Sequence, residues 1–187
     1  FVSPRQKKGL FQPRSGDQAI LQDDSRFRVF EHSLQLSGAR TSYFHSSLGG
    51  YHGAKPRRFE ELFDYFSTHQ IQGVMDMLNV KYLLFEEASQ QKVVDNPTAL
   101  GNAWTIDSLK VASSADDLLE QMKTLDFSNQ ALVLKNETPQ NIPHRFNSDA
   151  TKEIYLISAK PTNLRYAFSA SEEQIVVFSE IYYPNGW

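Results

Sequence analysis

The stretch SSADDLLEQMKTLDFSNQALVLK, residues 113–135, sets a helix and a strand side by side along the chain. Ser114 is placed to accept an amide hydrogen bond from the first helical turn, and Asp117 stands three positions later, the spacing of a capping box. Leu118, Leu119, Met122 and Leu125 recur at helical intervals, which predicts a buried stripe. ALVLK, residues 131–135, follows as an apolar run suited to a strand. A helix succeeded so soon by a strand implies elements of both kinds around one sheet.

Upstream, Phe59, Leu62, Phe63 and Phe66 follow the i, i+3, i+4, i+7 pattern, predicting an amphipathic helix with Glu60, Glu61 and Asp64 off its apolar face. Pro56 suits its first position, where a missing amide hydrogen costs nothing. GVMDMLN, residues 73–79, reads as a short helix running into the strand VKYLLF, with Asn79 ending it in a left-handed conformation. RFRVFEH, residues 26–32, reads as a strand with Phe27, Val29 and Glu31 on one face. SGARTSYFHSSLGGYHG, residues 37–53, is expected as a long loop. Residues 1–25, with Pro4, Gly9, Pro13 and Gly16 among polar neighbours, are expected as an extended arm.

Downstream, EIYLIS, NLRYAFSA and QIVVFSEIYY are three strand-like segments separated by polar turns. The expectation is therefore an α+β fold: an arm (1–25), a mixed α/β subdomain (26–140) and a mostly antiparallel, β-sandwich-like subdomain (141–187). That last layer is expected to be incomplete, because the strand meets a Pro-Asn-Gly turn and stops on Trp187.

Composition narrows the function classes. With 187 residues, 40% of them apolar, the chain can supply a core for one domain or two small layers. A formal charge of -3 gives nucleic-acid binding no support. The lack of cysteine excludes disulfides and thiolate ligands. No apolar run approaches the roughly 20 residues of a membrane span. His45 and His52 lack a zinc spacing, so neither a metal nor a cofactor is expected. Asp64, Asp76, Asp95, Asp107 and Glu180 lie on separate predicted elements, and a hydrolase reading would need two of them facing each other.

The richest stretch is SLGGYHGAKPRRFEELFDYF, residues 47–66. Helix starts favour acids, yet Lys55, Arg57 and Arg58 crowd this one. If they converge with the Gly49-Gly50 turn, Tyr51 and His52, the group would hold a phosphate or carboxylate. The alternative is that the bases pair with Glu60, Glu61 and Asp64. Tyr182, Tyr183 and Trp187 offer flat faces suited to stacking on sugar rings, or to covering a core.

FRVFEH, SYFHSSLGGYHGAKPRRFEEL, DMLNVKYLLF, DNPTALGNAW and VVFSEIYYPNGW, in this order and over most of the chain, resemble the bacterial YfhO-like family of multi-pass membrane proteins. The resemblance implies an extracytoplasmic region, periplasmic or extracellular, toward the C-terminus of a parent seated in the cytoplasmic membrane. It implies a parent of glycosyltransferase type using polyprenyl-phosphate-linked sugars to decorate cell-envelope polymers. Catalytic acids are then expected in the membrane portion, leaving this region inactive alone. Its expected partners are that membrane portion, a lipid-linked sugar or an envelope glycan. The alternatives are a structural or protein-interaction module, and a carbohydrate-active hydrolase.

Overall fold

The computed structural model describes residues 12–50, 56–88, 90–138 and 141–182. It has the expected α+β character, and the chain forms two compact units: Phe1–Ala54 with Val80–Ala99, and Lys55–Asn79 with Leu100–Trp187.

The first unit is built on a three-stranded sheet of β1 (Arg28–Glu31), β2 (Val80–Glu87) and β3 (Gln90–Asp95), in that order. β1 runs parallel to β2, and β3 antiparallel to it. Helix α1 (Ser15–Ile20) supplies Ile20 to a core with Val29 and Leu84, against which Phe27, Tyr82 and Val93 pack. Val29, Phe30 and Glu31 are all buried, so β1 is covered on both faces rather than alternating between core and water.

Two expectations change here. Ser15–Ile20 is helical within the stretch read as an arm, and a second helix, α2 (Ala39–Phe44), stands in the stretch read as a loop. Both hang on one buried ionic cluster. Asp17, fully buried, accepts from the Arg14 amide at 2.8 Å and from the Arg40 guanidinium, and its other oxygen lies 3.1 Å from His45 Nε2. Glu31, at the end of β1, accepts from Thr41 Oγ1 at 2.7 Å and from Arg40 at 3.3 Å. A buried carboxylate is tolerated only with such partners, so the cluster ties α1, β1 and α2 together.

In the second unit, α3 (Arg57–His69) and α4 (Gln72–Met77) precede β4 (Ala103–Ile106), β5 (Ser108–Ala112), α5 (Ala115–Met122), β6 (Gln130–Leu134), β7 (Lys152–Lys160), β8 (Asn163–Ala170) and β9 (Ile175–Phe178). β5 and β6 pair in parallel with α5 as their crossover. β4 pairs with β9 and β7 with β8, both antiparallel. Tyr166 of β8 meets Phe178 of β9 edge to face at 5.0 Å.

Local signals are met closely in this unit. Ser114 caps α5 by accepting from the Asp117 amide, and Asp117 in turn accepts from the Ser113 amide. Gln70 ends α3 and Asn79 follows α4, both left-handed at φ 53°. Pro56 is the residue before α3 rather than its first, with ψ 127°. Gly73 of α4 lies against Phe127, where an added Cβ would clash with the ring.

The Asp17 cluster gives a prediction with a definite sign. Burial alone would push its carboxyl up, but bonds from Arg14, Arg40 and His45 outweigh burial and hold it below the usual value. The associated stability is full above about pH 4 and is lost as pH falls through the lower native value. Asp17→Asn should lower unfolding stability by about 3 kcal/mol at pH 7 and flatten the acid limb of the urea midpoint against pH. An unchanged midpoint and limb would show that the cluster does not hold the first unit together.

Candidate functional site

Of the residues suggested as an anion site, Gly49 and Gly50 belong to the first unit while Arg57 and Arg58 belong to the second. The glycines serve backbone packing. A Cβ on Gly49 would sit 2.6 Å from Leu36 Cα, and the Gly50 amide donates to the Leu36 carbonyl at 3.0 Å. Tyr51, His52 and Lys55 lie outside the described residues, as do Tyr183 and Trp187. Tyr182 is exposed. His45 is committed to Asp17, and no described trio of His, Asp or Glu is arranged to hold a metal ion.

Both arginines have carboxylate partners. Arg57 Nε donates to Glu61 Oε1 at 2.6 Å, one turn along α3. Arg58 reaches Glu137, after β6, with both terminal nitrogens: 3.1 Å to Oε2 and 2.5 Å to Oε1. The Glu137 partner pushes the Arg58 guanidinium up and is itself held below the usual carboxylate range by Arg58.

Arg58 also borders a cleft of about 480 Å³ inside the second unit. Leu118, Leu119 and Met122 of α5 form one wall, and Leu62 of α3, Trp104 of β4 and Phe127 contribute to others. The Trp104 ring nitrogen donates to the Phe127 carbonyl at 3.1 Å, so its one polar group is satisfied and the indole adds apolar surface. Size and lining suit a small apolar ligand.

A second, polar space of about 700 Å³ shares Arg58, Glu61, Ala115 and Leu119 with the cleft, and adds Arg57, Asp64, Tyr65, Thr68 and Asp116. It forms a trough along α3 and α5. Two cations stand there against three carboxylates, a mixture better suited to hydroxyl groups than to a bare anion. At the trough, Tyr65 donates to Glu120 at 2.7 Å and Lys123 to the same carboxylate at 2.8 Å. The Tyr65 bond links α3 to α5, and the Lys123 bond is local to the end of α5. Burial and the Glu120 bond raise the Tyr65 hydroxyl, while Lys123, ahead of Tyr65, lowers Glu120.

Helical spacing predicts Leu118, Leu119, Met122 and Leu125 as a buried stripe. Only Met122 is buried; the leucines are partly open and line the cleft. Periodicity identifies an apolar face, but not whether its neighbour fills the space beside it.

No protein-family model matches the chain, and no curated protein or solved structure shows significant similarity to it. Among the described residues no helix is long and apolar enough to cross a membrane.

The Phe127 ring of the cleft packs directly against Gly73. Gly73→Ala should displace its ring and lower the melting temperature by several degrees, corresponding to about 1–3 kcal/mol of overpacking. A variant melting with wild type would show that Phe127 has room to move.

Proposed function

We propose that this region is a non-catalytic, extracytoplasmic accessory domain of a membrane protein of glycosyltransferase type, and that it positions a lipid-linked sugar. The observation carrying this reading is an apolar cleft and a trough lined by charged residues that share Arg58, Glu61, Ala115 and Leu119 on their linings. A hydrocarbon segment would occupy the cleft. Sugar hydroxyls would meet the carboxylates, arginines, Tyr65 and Thr68 of the trough, which supply both donors and acceptors. The resemblance to the YfhO-like family supports the same class of ligand and assigns bond transfer to the parent's membrane portion. In this account the basic cluster at the start of α3 acts through Arg57 and Arg58.

A second reading, a structural or interaction module without a small-molecule site, is favoured by one observation. Arg57 and Arg58 are already paired with acids of their own unit.

Titration with a short-chain polyprenyl-phosphate sugar, beside the same sugar phosphate without its chain, separates the readings. The lipid-linked form should bind and the chainless form should bind much more weakly. Leu119→Gln should weaken the lipid-linked form by about tenfold, the effect of losing one well-buried apolar contact. Equal binding of both forms, or indifference to Leu119→Gln in a folded variant, would reject the cleft as the site.

A further inference from the structure

We propose that Glu137 is a built-in competitor for Arg58: its carboxylate occupies the guanidinium until the acidic head of an amphiphile in the cleft displaces it. This rests on the preceding reading of the cleft as the site of a hydrocarbon chain. The charged residues on the cleft lining are Arg58, Glu61 and Glu137. Among these described residues Arg58 alone is a cation, and Glu61 accepts from Arg57. An oxyanion attached to a chain in the cleft thus meets Arg58 as the one cation on that described lining, and Glu137 already holds it.

The pairing is two-pronged, one terminal nitrogen to each oxygen. That fork accepts a carboxylate or a phosphate with the same geometry. The two side chains are 75% and 42% exposed, so water screens the pair and receives the released carboxylate. The backbone of Glu137 is fixed while its side chain is exposed to water: its amide donates to the Leu134 carbonyl at 2.9 Å, as does the Thr138 hydroxyl. Binding exchanges one guanidinium–oxyanion pair for another. An amphiphile with an uncharged head has no means of driving that exchange.

The test uses decyl phosphate, decyl maltoside and inorganic phosphate below the aggregation concentration of each amphiphile, with wild type, E137Q, R58Q, E61Q and the R58Q/E137Q double variant, each checked for an unaltered melt. E137Q should bind decyl phosphate about twofold to fivefold more tightly, more than E61Q does, and should leave decyl maltoside unchanged. R58Q should weaken decyl phosphate at least about tenfold, and adding E137Q to it should bring no gain. If decyl phosphate binds but E137Q gives no gain, or one no larger than E61Q gives, the exchange is rejected and the cleft reading stands. If neither amphiphile binds any variant, both are rejected. If inorganic phosphate binds as tightly as decyl phosphate, the ligand is a free anion and the proposal fails.

Discussion

An eight-residue helix rests on a sheet of only two strands, and this geometric shortfall shapes the second unit. Strands about 4.8 Å apart give the β5–β6 pair roughly the width of one helix. Such a sheet covers one line of the α5 stripe but not its flank. Met122 is buried, whereas Leu118 and Leu119 keep part of their surface. Helix α3 is joined to α5 through Tyr65 and Glu120. The cleft is the space left between packed elements, and its apolar character follows from a stripe wider than its support.

Electrostatics do different work in the two units. In the first, Asp17 and Glu31 are removed from water, and Arg40, His45 and Thr41 make that tolerable. Loss of any partner would leave a buried charge or acceptor unmet, so the cluster specifies how α1, β1 and α2 join. In the second, Arg57, Arg58, Glu61 and Glu137 stand in water and contribute little to stability. Their weakness suits them to changing partners.

Much of the local structure was legible in the sequence because it depends on near neighbours. The Ser114 cap, the left-handed Asn79 and the Phe63–Phe66 side of α3 each follow from residues within one or two turns. The helices around Asp17 and Arg40 were not legible, because what holds them is a set of contacts up to 28 positions apart, Asp17 to His45 being the longest of the cluster. A short polar segment gives no periodic signal of such a partnership. The candidate site was legible only in part. Arg57 and Arg58 stand out by charge at a helix start, but their significance beside a cleft depends on Trp104, Leu119 and Phe127, which come from distant parts of the chain. Leu118 and Leu119 look like any core stripe until the narrowness of the sheet beneath them is known.

Trp104, one of two tryptophans in the chain, lines the cleft and can report on it directly. In a Trp187→Phe variant, titration with an alkyl phosphate brominated along its chain should quench the remaining indole by contact, saturate, and be reversed by the unbrominated compound. Binding detected by calorimetry without quenching of Trp104 would put the chain somewhere else and contradict the account of an amphiphile held between α3, α5, β6 and Trp104.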